Sequence, residues 1–150
     1  MKNFLVTRWN KGIGLAIITR LLQDYPDTYL LLGSRHQGRG QAAVEQIVAM
    51  LGDKVRDRVE MVEIDVTSDQ SVQEAVRTVK ARHGQLYGLV NNAGGCLDSA
   101  THTVQLNTYS VRRVCEEFVG IIEKEQGNPG NPGPPVPHLF LAAKQQLYIL

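Results

Sequence analysis

Apolar and polar positions alternate along this chain in blocks that switch between two periods. Residues 2–6 form a short β-like run, and the turn-rich Asn10-Lys11-Gly12 leads into Ile13, Ala16, Ile17 and Leu21 at helical spacing, stopped before Pro26. Residues 28–32 are nearly all apolar, as a strand buried on both faces of a parallel sheet requires, and Gly33-Ser34-Arg35 ends them. A helix over 39–51 follows, with Gly52 as its stop. A third strand at 59–64 precedes a helix carrying Val72, Ala75, Val76 and Val79, with Thr67 and Gln70 as its capping box and Gly84 as its end. A fourth strand at 86–90 runs into Asn91-Asn92-Ala93-Gly94, and a long helix over 103–124 carries Val111, Val114, Phe118, Ile121 and Ile122.

Strict strand–helix alternation implies right-handed crossovers and an α/β fold: a Rossmann-type doubly wound parallel sheet of about four strands, equivalent to the amino-terminal half of such a fold. The pattern breaks at 127–137, where clustered Pro and Gly suit neither a helix nor a central strand. We therefore expect a domain over 1–126 and, over 127–150, a Pro/Gly-rich irregular linker with a short apolar tail. Residues 138–150 could form a docked helix or strand but are too few for another βαβ unit.

Composition narrows the function classes. With 150 residues and 43% hydrophobic content the chain suits one core, and sixteen Lys+Arg against fifteen Asp+Glu leave a net charge of +1, so no basic field points to nucleic acid. Cys96 and Cys115 show no metal-ligand spacing and read as free thiols of a reducing compartment, with no zinc site. No apolar run approaches the roughly 18 residues of a membrane span. A cytoplasmic protein is expected.

A strand that passes through a glycine turn into a helix aims free N–H groups and a positive dipole end at one place, which suits a pyrophosphate. Gly12-Ile13-Gly14 is such a turn, although an ordinary loop with close helix packing has the same signature. An acidic residue ending the second strand would accept from a ribose 2′-OH, whereas a cation accommodates a 2′-phosphate. Here Ser34-Arg35 stand there, with Lys11 and Arg39 nearby, which favours NADP(H); the alternative is that these are solvated surface charges.

The run from Thr7 through Arg8, Trp9, Asn10, Lys11, Gly12 and Ile13 to Gly14 resembles the TGxxxGxG fingerprint of the short-chain dehydrogenase/reductase family. Arg8 departs from it, standing where the family has glycine. A turn needing positive φ there would cost a non-glycine residue on the order of 1 to 2 kcal/mol. Asp65-Val66 stands where the family places an Asp beside the adenine, or else caps a helix. Val90-Asn91-Asn92-Ala93-Gly94 resembles the family's NNAG motif, and Asn107 falls at its catalytic-tetrad asparagine. The resemblance covers roughly residues 2 to 125, and the run from Arg39 to Val44, with Leu106-Asn107-Thr108 and Val114-Cys115-Glu116, is most similar to the NADPH-dependent carbonyl reductases. It implies reduction of aldehydes, ketones or quinones by hydride transfer, with a small-molecule carbonyl substrate.

That chemistry needs a Tyr with a Lys four residues on, plus a Ser, to donate a proton and stabilise the developing oxyanion. The five tyrosines, at 25, 29, 87, 109 and 148, offer only Tyr109 with Arg113, which reads as surface, and Lys144 with Tyr148 has the order reversed. The resemblance thus implies a truncated chain with Asn107 as the sole tetrad member. A competing reading is an inactive, cofactor-binding or partner-binding isoform. On that reading the fourth strand would be a bare edge and Val111, Val114, Phe118 and Ile121 an exposed stripe, covered by the tail, by a second copy or by a full-length relative.

Overall fold

The computed structural model describes residues 1–8, 13–92, 100–123, 139–143 and 146–149, the last two segments by their backbone alone. Four parallel strands, β1 (Lys2–Thr7), β2 (Thr28–Ser34), β3 (Val59–Glu63) and β4 (Gly88–Asn91), alternate with helices α1 (Ile13–Asp24), α2 (Gln37–Leu51) and α3 (Asp69–His83). After β4 come α4 (Ala100–Val104) and α5 (Ser110–Phe118), then β5 (Leu139–Ala143) and β6 (Gln146–Ile149). The sheet order is β3-β2-β1-β4-β5-β6. This is the doubly wound arrangement that the alternation predicts.

Successive side chains of a strand point to opposite faces, and the sequence fills both. Phe4, Val6, Leu30 and Leu32 face α1 and α2 and pack against Ile18, Leu22, Val44, Ile47 and Val48. Leu5, Leu31, Val62 and Leu89 face the other way, against Val72, Ala75 and Val79 of α3 and Val114 and Phe118 of α5. Residues 28–32 therefore read as a continuous apolar run because they are covered twice.

Helix ends follow from local chemistry. Gly52 and Gly84 close α2 and α3 with φ of 88° and 74°, and each amide returns to the last turn. The cap of α3 is Ser68 rather than Thr67: its Oγ accepts from the Ser71 amide at 3.3 Å, while Thr67 is engaged by Asp65. No glycine closes α1, and Arg58 substitutes by donating to the carbonyls of Leu22 (2.7 Å) and Tyr25 (3.0 Å). At Gly40, in the first turns of α2, a Cβ would collide with Met61 Cγ and stand 3.0 Å from Ser34 Cβ, so the missing side chain lets α2 close onto β2 and β3.

Three expectations about the second half change. The long helix over 103–124 is interrupted: a π-helical segment, Gln105–Tyr109, separates α4 from α5, and a 3-10 turn, Val119–Ile121, ends it. The apolar stripe is not exposed, because Val114, Phe118 and Ile121 are buried against the sheet and Val111 is half-buried. Nor is β4 an edge. β5 pairs with it in parallel, Val90 opposite Phe140, and β6 turns back antiparallel on β5. Among the described residues of the tail there is no helix; α4 and α5 already form the crossover that a parallel fifth strand needs. No helix of the described residues is long and apolar enough to cross a membrane.

Candidate functional site

The carboxyl ends of β1 to β4 converge on one edge of the sheet, and β1 is the strand from which the chain winds in both directions. In open α/β sheets that switch point opens a crevice for ligands. Thr7, buried at the end of β1, donates its hydroxyl to the Val90 carbonyl at 3.4 Å and so ties β1 to β4. Arg8 follows with φ of 49°, the one non-glycine residue at positive φ among the described residues. Its amide donates to the Gly33 carbonyl at 3.3 Å, and its own carbonyl accepts from Asn92 Nδ2 at 2.6 Å. The backbone turn for which glycine is the unstrained residue is therefore present with arginine in it.

At the end of β2, Ser34 closes a small turn on itself. Its Oγ donates to the His36 carbonyl at 3.0 Å and accepts from the His36 amide at 3.2 Å, which presents Arg35 at the tip. Arg35, His36 and Arg39 are exposed, and the first turn of α2 carries no acidic residue. The first turn of α1 carries none either, so no carboxylate of that turn offsets the positive end of its dipole, and Gly14 is buried there.

Asp65, just beyond β3, is half-buried. Its Oδ1 accepts from both the Thr67 amide (3.0 Å) and the Thr67 hydroxyl (2.7 Å). Burial pushes the carboxyl upward, but the two Thr67 bonds, with Arg35 and His36 adding positive potential, hold it below the ordinary carboxylate value. The Asp65 amide donates to Ser71 Oγ at 2.9 Å. From α5, Arg113 donates to the Val66 carbonyl at 3.0 Å and pairs with Asp69, the first residue of α3. Asn91, buried, donates to Cys115 Sγ at 3.3 Å, and burial, partly opposed by that bond, pushes the thiol up.

Of the residues singled out from the sequence, Thr7, Ser34, Arg35, Asp65, Val66 and Asn92 come together at this strand-end edge. Asn10, Lys11, Gly12, Ala93 and Gly94 lie outside the described residues, and Ile13 enters only as the first residue of α1. Asn107 is exposed in the π-helical segment, a distortion common at functional positions. Arg113 is not a solvated cation, since its side chain is 25% exposed and committed to Val66 and Asp69; Tyr109 beside it is exposed. A shallow cleft of about 240 Å³ between these helices is lined by Asp69, Tyr109, Arg112, Arg113, Glu116 and Glu117, and its arginines are paired with its carboxylates. The bonds from Asn92 to Arg8, Asn91 to Cys115 and Arg113 to Val66 had no signal in the sequence, because each joins residues distant along the chain.

An α/β sheet with this order, a strand-end turn at positive φ and an asparagine pair behind it define a Rossmann-type doubly wound class of fold. A family profile described as short chain dehydrogenase matches residues 2–128, and the chain belongs to that family. It is 42% identical over 93 residues to a short-chain dehydrogenase/reductase of Aspergillus fumigatus, covering 62% of this chain and 34% of that protein. It is 35% identical over 132 residues to human carbonyl reductase [NADPH] 1, covering 82% and 45% respectively. Among solved structures, menthone neomenthol reductase from Mentha piperita superposes with a TM-score of 0.72 at 24% identity, over 80% of this chain and 55% of that one, a likeness of fold. The chain spans less than half the length of these two curated relatives.

Proposed function

We propose that this chain forms the NADP(H)-binding part of an oxidoreductase of the carbonyl reductase type. The observation that carries the reading is the β2 end: Ser34 fixes a turn that presents Arg35, with His36 and Arg39 exposed beside it and no acid in the first turn of α2. A carboxylate there would select a free 2′-OH, and guanidinium groups favour a 2′-phosphate. The acid-free start of α1 suits the pyrophosphate, with Asn10, Lys11, Gly12, Ile13 and Gly14 as its cradle. Asp65 and Val66 would border the adenine, and Asn92, Ala93 and Gly94 the adenosine side.

NADPH, when bound, supplies the hydride for reduction of an aldehyde, ketone or quinone. This chain's residues would bind and orient: Thr7 and Asn92 hold the β1–β4 junction, and Asn107 is the residue proposed at the reacting end. The proton donor is not supplied by Tyr109, because Arg113, four residues on, is committed to Asp69 and Val66 and cannot serve as its cationic partner. That observation supports a second reading, a cofactor-binding chain that completes its site, if at all, with a second copy or a full-length relative. The two are separated by carbonyl-dependent oxidation of NADPH: turnover with a quinone or aldehyde by the purified chain supports the enzyme, and NADPH binding without turnover supports the cofactor-binding reading.

A further inference from the structure

Arg113 joins two parts of the molecule that lie far apart along the chain. Its side chain, 25% exposed, leaves α5 and crosses to the loop after β3, where it donates to the Val66 carbonyl at 3.0 Å and pairs with Asp69. α3 and α5 lie side by side here: Val72, Ala75 and Val79 of one share a core with Val114 and Phe118 of the other, and Gln73 donates to Glu117 at 3.2 Å. That apolar contact packs the two helices together independently of Arg113. A guanidinium at the start of α3 has the wrong sign for the positive end of a helix dipole, and the Asp69 carboxylate offsets it. What the arrangement adds is a fixed position for the Val66 carbonyl. The rest of the loop is tied to itself and to α3: Asp65 accepts from Thr67, Ser68 caps α3, and the Ser71 hydroxyl accepts from the Asp65 amide.

At its other end α5 continues from the π-helical segment Gln105–Tyr109, which carries Asn107 six positions before Arg113, about 9 Å along a helix axis. The bond from Asn91 Nδ2 to Cys115 Sγ ties the same helix to the end of β4. The helix that follows Asn107 is thus anchored on the ends of both β3 and β4. We infer that Arg113 is a positioning residue that couples the two ends of the site: it fixes the Val66 side of the adenine subsite from the helix that carries Asn107, so that filling that subsite orders the Asn107 segment. A guanidinium with two partners on the loop passes a displacement of the loop to α5, which a solvated cation does not. The inference rests on the reading above, in which Asp65 and Val66 border the adenine and Asn107 stands at the reacting end, and adds to it the residue that connects them.

Adenosine 5′-monophosphate fills the adenine end and carries no nicotinamide, so a response at Asn107 has to travel through the protein. Amide hydrogen exchange of the wild-type chain, with and without saturating monophosphate, is expected to slow over residues 65–69 and also over Gln105–Tyr109. Slowing over 65–69 alone overturns the inference and leaves the cofactor reading standing. Arg113→Met is then titrated calorimetrically with the monophosphate and with adenosine 2′,5′-bisphosphate, well below its unfolding transition. Both affinities are expected to fall about tenfold, the worth of one charge-assisted bond, with the preference for the bisphosphate unchanged and the response over Gln105–Tyr109 lost. Arg112→Met, on the same helix but 72% exposed and paired with Glu116, is the control and is expected to behave as wild type. Wild-type affinities with an intact response in Arg113→Met, or a loss of the bisphosphate preference in place of a uniform fall, overturn the inference. If Arg113→Met does not fold, the wild-type exchange pattern decides it alone. A wild type that binds neither probe overturns the cofactor reading and the inference together.

Discussion

The side-chain amide of Asn92, at the end of β4, donates a 2.6 Å hydrogen bond to the carbonyl of Arg8, at the end of β1, and so locks the turn in which Arg8 holds a positive φ. The two residues are 84 positions apart, and each belongs to a different motif of the sequence. Removing the amide takes this bond from the Arg8 carbonyl and its clamp from the strained turn. Asn92→Ala should lower unfolding free energy in urea by about 1 kcal/mol, the net worth of such a bond. It should also weaken NADPH binding, whereas an Asn92→Ala chain with wild-type stability and affinity would show that the clamp is idle.

The loop after β3 is held from α5. Arg113→Met keeps much of the stem and removes the donors to Val66 and Asp69. We expect faster amide exchange over residues 65–69 and a stability loss of roughly 1 to 3 kcal/mol, since the guanidinium is partly buried and charged. Unchanged exchange in that loop would mean that the clamp holds nothing.

Asp65 predicts a pH dependence. Burial raises its carboxyl, yet the Thr67 bonds and the nearby Arg35 and His36 outweigh that and leave it depressed. A depressed folded-state pKa contributes stability that is fully present above the ordinary carboxylate value and is lost as pH falls through the folded-state value. Wild type should therefore lose stability in the acid range below about pH 4 more steeply than Asp65→Asn, measured by denaturant midpoints across that range. Parallel pH curves for the two proteins would contradict the assignment.

Cys115 should be a slow thiol. Burial raises its pKa despite the Asn91 bond, and the thiolate is the reactive form. With Cys96 replaced by serine, alkylation of the folded chain at neutral pH should run well below the rate of the unfolded chain. Equal rates would mean that the thiol is not buried in the folded chain.

Much of this fold is legible in the sequence alone. Period and burial agree at Leu30, Leu31 and Leu32 because a doubly covered strand has no polar face to hide, and Gly52 and Gly84 stop their helices through positive φ. Arg8 was legible as a departure from glycine, and the strained turn is present. The π-helical segment at Gln105–Tyr109 was not, since one extra residue per turn leaves the apolar spacing of α5 intact. The fifth strand was hidden for a topological reason. Its crossover helix lies before the proline-rich stretch, so 139–143 looks orphaned along the chain while β4 offers it a ready edge. Partners such as Arg113 with Val66 depend on tertiary placement that no local pattern encodes.

The central claim is that the strand-end edge reads the phosphates of NADP(H), and calorimetric titration of the purified chain with NADPH and with NADH tests it most directly. The account predicts binding of NADPH at least about tenfold tighter than NADH, the worth of one charge-assisted contact to the 2′-phosphate. Binding of NADH as tight as NADPH, or of neither, would contradict it.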